Sequence, residues 1–376
     1  MNKNLFTLIQ AKKLLLKKGL LIVNKQKKSF FNSDLKSFYL SFVGGLFFMG
    51  LFYTLPFITE ANKNYKISLK EIKNNSKSNF EKVLVGEDIK KTSKIDDELD
   101  IKNLYEDIFQ FDKLPDDTIR LSASTIEQLF KDTNYNLKDV RETKLVKPIS
   151  LSLLPEEIKK IENTKRRKNL FIQIILPLII DENNKIKLDR VKLFSILNKN
   201  NNTNSEKKWL DSKFKQYGVL SKDLSTLKVR MDEIPVSLAI AQAAKETGWG
   251  SSRFALEGNA LFGQWTWSGE GIKPAGADVD STHKVMKFKI LQASVRAYQR
   301  NLNTHSSYKN FRMARAELRD EKKMLDSLLL ANFLDKYAET GSNYVKILKQ
   351  IIEQNKLTDF DDAKLLPSSI ELQNLI

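Results

Sequence analysis

A nearly uninterrupted apolar segment between Pro235 and Gly248 constrains the fold of this chain more than any other feature. Proline suits the first turn of a helix, where its missing N–H is no loss, and glycine suits the residue just after a helix end. Ala, Val, Leu or Ile occupies most of the positions between them. A helix that is apolar on nearly all sides is buried in a domain core, so we predict that this helix lies at the centre of its domain.

An acid interrupts the buried face near the end of this helix. At helical spacing Glu246 lies on one stripe with apolar residues, which are Val236, Ala239 and Ala243. Burial raises the pKa of a carboxylic acid, and Trp249 close by in sequence can supply an apolar wall. A carboxyl in such a setting stays protonated near neutral pH and can act as a general acid. The alternative is a glutamate at a helix end that faces solvent.

Two short motifs end and follow the helix. Glu246 and Thr247 precede Gly-Trp-Gly, and residues 259–263 have the sequence Asn-Ala-Leu-Phe-Gly. This series resembles the bacterial glucosaminidase family of peptidoglycan hydrolases, in particular its Bax-like members. The similarity continues downstream through Ser294–Leu318 and Tyr337–Asp361 and extends upstream to Lys165–Val191, so that it covers roughly the second half of the chain.

The resemblance implies a mainly α (α+β) fold. In that fold a lysozyme-like helical domain and a small β lobe face each other across a cleft, and we expect this catalytic domain at residues 169–376. Helical patterns dominate that range. Met286, Phe288 and Ile290 alternate with lysines, and this period of two indicates one strand.

A second apolar run at Leu170–Ile180 predicts a buried helix that is too short to span a membrane. Pro177 lies inside it and predicts a kink or a break, because proline removes one helical hydrogen bond. We therefore expect the polar segment Asp181–Lys187 to turn the chain and Leu188–Leu197 to form another helix.

The N-terminal residues suggest a membrane anchor. Residues 1–36 carry nine lysines against one acid, Asp34, and residues 37–59 contain no charged side chain. A run of this length can cross the ~30 Å hydrocarbon core as a helix, and its basic side stays in the cytoplasm. We predict a single-pass signal-anchor in the bacterial inner membrane, with the catalytic domain in the periplasm. The alternatives are a signal peptide cleaved near residues 60–61 and a buried soluble helix.

Residues 60–168 are rich in Lys, Asn, Asp, Glu and Ser, with short apolar patches between them. Stretches of low hydrophobicity cannot offset their ordering entropy. We predict that this region is a polar spacer or accessory region between the membrane and the catalytic domain. A module that binds the envelope or a partner protein is the alternative.

The net charge of +17 does not indicate a nucleic-acid-binding protein. Its lysines are scattered, and no familiar nucleic-acid motif accompanies them. The charge suits an anionic cell envelope. With no Cys and only two His, His283 and His305, the chain contains no thiolate metal site and no His-Glu-x-x-His helix. We expect no metal and no cofactor, and we assign neither histidine to catalysis.

Hydrolysis of a glycosidic bond needs an acid for the leaving oxygen and a second group for the positive sugar carbon. Glu246 is our candidate acid. The resemblance implies a second carboxylate in the β lobe, but Lys284 stands where that acid is expected. Glu270, Asp278 and Asp280 are nearby alternatives, and the N-acetyl group of the substrate can replace them in some glycosidases.

Aromatic and polar residues after the helix are candidates for substrate binding. Trp265 and Trp267 can floor a sugar cleft, because aromatic faces suit the apolar faces of sugar rings, and Glu270 lies close by. The alternative is that one of the two tryptophans lies in the core. We include Asn259 with them, although Asn259 and Gly263 are typical of turns.

Two tyrosines near the end of the chain complete the candidate site. Tyr337 matches a tyrosine that the family places beside the catalytic acid, so the resemblance implies a catalytic role for it. We assign Tyr344 to substrate binding. Both tyrosines have the alternative of packing in the helical core.

Together these features predict a membrane-anchored hydrolase that binds peptidoglycan strands and cleaves the β-1,4 bond after N-acetylglucosamine. A lytic transglycosylase on the same scaffold is one alternative, because it needs a single acid. A non-catalytic glycan-binding or scaffold protein of the envelope is another. Nucleic-acid binding ranks last, and the sequence identifies no protein partner.

Overall fold

A computed structural model describes residues 104–108, 110–113, 118–266, 271–273 and 284–367 of the chain. These residues belong to one compact unit within residues 89–376. The predicted basic tail and transmembrane segment lie outside the described residues. Within the described ranges, no helix is long and apolar enough to cross a membrane.

Helices form most of the described structure. The α-helices are α1 (Ala123–Asp132), α2 (Leu137–Thr143), α3 (Thr164–Leu197), α4 (Asn204–Gln216), α5 (Leu224–Arg230), α6 (Val236–Thr247), α7 (Arg253–Gly258), α8 (Leu291–Thr304), α9 (Lys309–Asp320), α10 (Ser327–Ala331) and α11 (Ser342–Gln354). Residues 104–108 are also helical. The 3₁₀ helices are Gln110–Lys113, Glu156–Lys160, Ser306–Tyr308 and Leu357–Phe360. The prediction of a mainly helical protein is confirmed.

The strands are short. They are β1 (Leu145–Val146), β2 (Trp265–Thr266), β3 (Gly271–Ile272), β4 (Lys284–Met286) and β5 (Lys364–Leu365). Strands β2, β4 and β3 form an antiparallel sheet in that order, while β1 pairs with β5 in parallel. The alternating pattern around Met286 therefore does contain a strand. It ends earlier than the pattern suggests, because Phe288 and Ile290 lie in the connection between β4 and α8.

The predicted break at Pro177 is wrong. Helix α3 runs through the proline and through residues 181–187, which were expected to turn the chain. Pro177 cannot donate to the carbonyl of Gln173, four residues earlier. The Tyr135 hydroxyl donates to that carbonyl at 3.1 Å, and the Gln173 amide donates back to the Tyr135 carbonyl at 2.7 Å. A distant side chain thus replaces the missing helical hydrogen bond, and the helix continues.

Helix α6 lies in the core as predicted. Leu238, Ala239, Ile240, Ala241 and Ala243 are fully buried. The helix packs against α3, α11 and the 3₁₀ helix that follows α11. Burial of a Leu or Ile side chain contributes about 1.5–3 kcal/mol, so the packing of α6 against these three helices is a main source of the domain's stability.

The core also includes residues that precede α3. Ile126, Phe130, Val146, Leu154 and Ile158 belong to the same hydrophobic cluster as α6. Strands β1 and β5 join this part of the chain to the residues after α11. The domain boundary between residues 168 and 169 stays a prediction, but residues 118–161 share one core with the helices that follow.

Buried arginines hold the loop that leads into α6. Arg315, which is fully buried, donates to the carbonyls of Val229, Asp232 and Glu233 at 3.0–3.1 Å. Burial tends to raise the pKa of Asp232, but the charges of Arg315 and the neighbouring arginines leave it below its ordinary value. A buried charge needs such partners because an unpaired one is strongly destabilising. The start of α6 is therefore fixed in position.

A carboxylate from the end of the chain caps α6. The N-cap residue of α6, Pro235, makes no side-chain hydrogen bond to the helix. Asp361 accepts hydrogen bonds from the backbone N–H of Ser237 at 2.8 Å and from the Ser237 hydroxyl at 2.7 Å. It satisfies one of the free N–H groups of the first helical turn. Burial raises the pKa of Asp361 to about 6, although both hydrogen bonds from Ser237 oppose that shift.

The raised pKa of Asp361 predicts a specific dependence of stability on pH. The folded state favours protonated Asp361, so its contribution to the free energy of unfolding is complete below about pH 4 and is lost as pH rises through about 6. A displacement of about two pKa units corresponds to at most ~3 kcal/mol. In the Asp361→Asn variant this dependence should vanish, so the melting temperature of the variant should rise relative to the wild type between pH 4 and pH 7.

Asp320→Asn is the matched control, since Asp320 is an exposed acid on the surface of α9. Thermal unfolding of both variants and the wild type, followed by circular dichroism across this pH range, measures the difference. A constant difference between the Asp361→Asn variant and the wild type at all pH values would contradict the burial of an acid at this cap.

Candidate active site

Glu246 lies in the last turn of helix α6. The helix ends just before Gly248, as predicted, and this glycine takes the left-handed conformation with φ of 57°. Its N–H donates to the Ala244 carbonyl and closes the helix. Glu246 is half-buried, unlike the apolar residues of the preceding turns. Glu246 therefore lies at the edge of the core.

The carboxyl of Glu246 is held by a tyrosine. The Tyr344 hydroxyl, on α11, donates to Oε1 of Glu246 at 2.9 Å. Burial raises the pKa of Glu246 above its ordinary value. The hydrogen bond from Tyr344 and the charge of Lys245 act in the opposite direction without cancelling that rise. The acid consequently keeps its proton to higher pH than a glutamate in water.

Gly263 packs directly against this carboxyl. The residue has φ of +60°, a conformation that side chains rarely adopt, and a Cβ atom there would lie 3.1 Å from Oε2 of Glu246. The glycine thus permits both the turn and the close approach of the backbone to the acid. This explains in physical terms why the Asn-Ala-Leu-Phe-Gly motif ends in glycine.

The same motif is attached to the core on both sides of Phe262. The Leu261 N–H donates to the Ser294 hydroxyl at 3.0 Å. The ring of Phe262 stacks on Tyr298 at 3.8 Å between ring centres, and its carbonyl accepts from the Tyr337 hydroxyl at 2.8 Å. The loop beside Glu246 is therefore fixed by α8 and by the segment before α11.

The structure brings both predicted tyrosines to the acid, but in different positions. Tyr344 contacts the carboxyl directly, while Tyr337 stacks on Tyr344 at 5.5 Å and binds the Phe262 carbonyl. Tyr337 therefore supports the loop and the neighbouring ring through its described contacts. The roles in catalysis and substrate binding that we assigned to these residues stay predictions.

Three residues near the acid were missed by the sequence analysis. Gln242 lies one helical turn before Glu246, and its Nε2 donates to the Tyr344 hydroxyl at 3.1 Å. The Tyr298 hydroxyl donates to Oε1 of Gln242 at 2.7 Å. Gln242 carried a detectable signal, because it is a polar residue in an otherwise apolar stretch of helix. Tyr298 carried none, since its position beside Gln242 depends on how α8 packs.

Tyr308 is the third of these residues. Its ring lies 5.9 Å from that of Tyr337. Burial raises the pKa of Tyr308 to about 12, with a hydrogen bond from Asn301 opposing and the negative charge of Glu246 adding to the rise. Tyr308 therefore lies within electrostatic range of the acid and extends the row of aromatic rings beside it.

Asn259 and Trp249 have structural contacts. The Asn259 amide donates to the carbonyls of Phe288 and Lys289 at 2.9 and 3.1 Å, so it joins the end of α7 to the chain that enters α8. Trp249, which was expected to wall the acid, packs edge-on against Phe171 at 6.0 Å and beneath the ammonium group of Lys168. Its described contacts are with α3.

The β lobe is described only in part. The backbone of Trp265 pairs with Val285, but its side chain lies outside what the structure describes. Trp267, Glu270, Asp278 and Asp280 also lie outside the described residues. Lys284 begins β4 opposite Thr266. In the described part of the chain, no cluster of His, Cys, Asp or Glu is arranged to hold a metal ion.

Comparisons with known proteins bear on the same segment. A family model described as mannosyl-glycoprotein endo-beta-N-acetylglucosaminidase matches residues 226–357. Protein bax of Escherichia coli (strain K12) is 30% identical to the chain over 211 residues, which are 54% of this chain and 75% of that protein. No solved structure matches the chain. The segment matched by the family extends from α5 to just after α11 and so contains Glu246, Gly263, Tyr337 and Tyr344.

The contact between Gly263 and Glu246 predicts a local effect of one methyl group. Gly263→Ala should strain the backbone by about 1–3 kcal/mol and place an apolar methyl group beside Oε2 of Glu246. The methyl group disfavours the ionised carboxylate, so the pKa of Glu246 should rise further. Carbon-13 NMR of the labelled glutamate carboxyls, with Glu246 assigned from a Glu246→Gln spectrum, measures this pKa.

Gly218→Ala is the control for strain alone. Gly218 also has φ of +60°, but a Cβ atom there would meet Arg230 and Leu104. Both variants should lose similar stability, and only Gly263→Ala should change the titration of Glu246. An unchanged pKa in that variant would mean that the carboxyl does not rest against Gly263.

Proposed function

Because the chain is a Bax-like member of the glucosaminidase family, we propose that it hydrolyses peptidoglycan at the β-1,4 bond after N-acetylglucosamine, with Glu246 as the general acid. The glucosaminidase domain indicates a glycan hydrolase, and the finer assignment rests on the site. One observation carries it: a half-buried carboxyl with a raised pKa is held by Tyr344 at the edge of the core. A general acid needs a pKa close to the working pH.

In the proposed reaction Glu246 gives its proton to the glycosidic oxygen while the bond from that oxygen to the anomeric carbon breaks. The bonding electron pair goes to the leaving oxygen, and the sugar carbon becomes positive. A second carboxylate of the β lobe or the substrate's N-acetyl group stabilises or captures that carbon. Water then attacks it and gives a proton to the Glu246 carboxylate, which restores the acid.

We also propose that residues 37–59 anchor the protein in the bacterial inner membrane and that the catalytic domain works in the periplasm. The support is the basic leader before an uncharged apolar run. Peptidoglycan strands are the proposed partner. The net charge of +17 suits this location, because the envelope is anionic.

One observation favours a second candidate function. Lys284 stands in β4 where the second carboxylate is expected. A lytic transglycosylase needs only one acid, since a hydroxyl of the sugar itself attacks the anomeric carbon and closes an anhydro ring. The products distinguish the two reactions, because hydrolysis leaves a reducing end.

The first functional prediction concerns Glu246→Gln. An amide of similar size cannot donate the catalytic proton, so the variant should lose at least ~100-fold of the activity on purified peptidoglycan. Products are identified by mass and by their reducing ends. Glu353→Gln is the control, because Glu353 is an exposed glutamate on α11, and it should retain wild-type activity.

Each outcome of this digestion has a meaning. Reducing N-acetylglucosamine ends that disappear in the Glu246→Gln variant support the hydrolase, while anhydro sugars support the transglycosylase. Equal activity in both proteins rules out Glu246 as the acid. Glycan binding without any cleavage would leave a scaffold protein of the envelope.

The second functional prediction concerns pH. The acid must be protonated, so kcat should fall as pH rises through the pKa of Glu246. Because burial raises that pKa, the fall should be centred above about pH 4.3, the ordinary value for glutamate. The pH dependence of kcat on a soluble glycan fragment tests this, and a fall centred at the ordinary value would contradict it.

A further inference from the structure

A chain of hydrogen bonds leads from the core to the acid. The Tyr298 hydroxyl donates to Gln242, the Gln242 amide donates to Tyr344, and Tyr344 donates to Glu246. Tyr298 and Gln242 are fully buried, and Tyr344 is 1% exposed. Gln242 and Tyr298 form no described contact with the carboxyl itself, so they act on it only through Tyr344.

The amide of Gln242 gives this chain a direction. An amide has one side that accepts and one that donates. Since Oε1 of Gln242 accepts from Tyr298, its NH₂ group faces the Tyr344 oxygen. Tyr344 has a single proton, and its oxygen already accepts from Gln242. That proton therefore points at Oε1 of Glu246.

The direction influences which oxygen of Glu246 carries the acid's proton. In a protonated carboxyl the carbonyl oxygen is a better acceptor than the hydroxyl oxygen, so the hydrogen bond from Tyr344 to Oε1 favours the proton on Oε2. Oε2 is the oxygen that approaches Gly263. The missing Cβ of this glycine leaves space beside Oε2 that any other residue would fill.

The Tyr298 end of this series of hydrogen bonds is held by the loop at residues 259–263. The ring of Tyr298 stacks on Phe262 at 3.8 Å with the planes within 8° of parallel. Phe262 directly precedes Gly263. The loop that leaves space at Oε2 thus also holds the tyrosine that orients Gln242.

We propose that Gln242 and Tyr298 are positioning residues that direct the Tyr344 hydroxyl to Oε1 of Glu246 and thereby place the transferable proton on Oε2. The use of that proton in glycosidic cleavage rests on the proposed function. The orientation itself does not, because it is a property of the unliganded protein. Reversal of the amide would take the acceptor away from the buried Tyr298 proton, and a buried donor without an acceptor is unfavourable.

We call the series of hydrogen bonds from Tyr298 through Gln242 and Tyr344 to Glu246 the relay. Three variants of the full-length protein, in detergent, test it. Tyr298→Phe removes only the hydroxyl that orients Gln242, and Gln242→Met removes the amide at similar size. The third variant combines both changes.

In Tyr298→Phe the Gln242 amide can reverse and accept the Tyr344 proton in place of Glu246. In Gln242→Met the Tyr344 oxygen loses the hydrogen bond that it accepts, and its hydroxyl becomes a weaker donor to Glu246. The pKa of Glu246 should therefore rise by about half to one unit in each variant. The carbon-13 signal of the Glu246 carboxyl measures it.

The double variant shows whether Tyr298 and Gln242 affect the pKa of Glu246 through one connected relay or independently of each other. If Tyr298 acts through Gln242, its hydroxyl has no further influence once the amide is gone. The double variant should then show the same pKa as Gln242→Met alone, which is the non-additive result expected of one connected network. Additive shifts would overturn the proposal.

Tyr135→Phe is the matched control. Tyr135 is also buried, and its hydroxyl donates to the Gln173 carbonyl at 3.1 Å in another part of the core. The same chemical change there should leave the pKa of Glu246 unchanged. A wild-type pKa in Tyr298→Phe, beside a shifted pKa in Tyr344→Phe, would also overturn the proposal, because Tyr344 would then be oriented without Tyr298.

Activity gives a second and independent comparison. In Tyr298→Phe and Gln242→Met, the fall of kcat with pH should move up by the same amount as the NMR pKa, with KM on the glycan unchanged. If the protein cleaves no peptidoglycan but the NMR shifts occur as expected, the proposed function fails and the relay stands. If cleavage requires Glu246 while Tyr298→Phe and Gln242→Met change neither pKa nor pH profile, the relay fails alone.

Discussion

A carboxyl group at the end of a largely buried helix is the constraint on which the rest of this site depends. Burial of α6 stabilises the domain, but it also removes water from Glu246 and raises the cost of its ionised form. Polar groups are therefore needed at both ends of the helix. Asp361 binds the free N–H at its start, and Tyr344 binds the carboxyl at its end. The fold thus keeps an apolar helix in the core and an acid at its edge.

The sequence predicted what depends on neighbouring residues and missed what depends on distant ones. The bounds of α6 followed from Pro235 and Gly248, because caps and helix ends are local. The break at Pro177 was predicted wrongly, since Tyr135 supplies the missing donor from outside the helix. The candidate acid was found through its place in a motif. Its hydrogen-bond relay was not, because that relay joins residues of α6, α8 and α11 that meet only after packing.

The site also has more contacts with other parts of the protein than its sequence motifs suggest. The loop beside Glu246 is fastened to α8 through Ser294 and Tyr298, and to the segment before α11 through Tyr337. Residues 118–161, which precede the family motifs, lie in the same core. The surroundings of Glu246 are shaped by several helices at once. Their geometry therefore depends on the packing of the whole unit as well as on the motifs that identify the site.

Asp361, which caps α6, and Tyr344 share one further property: both are synthesised long after the helix that they bind. Tyr344 follows Glu246 by 98 residues, and Asp361 follows Ser237 by 124. A ribosome adds about 5–20 residues per second, so the acid is synthesised several seconds before its partners exist. Strand β5, which closes the unit against β1, comes later still. The packing that buries Glu246 is consequently complete only after Tyr344, Asp361 and β5 have all been synthesised.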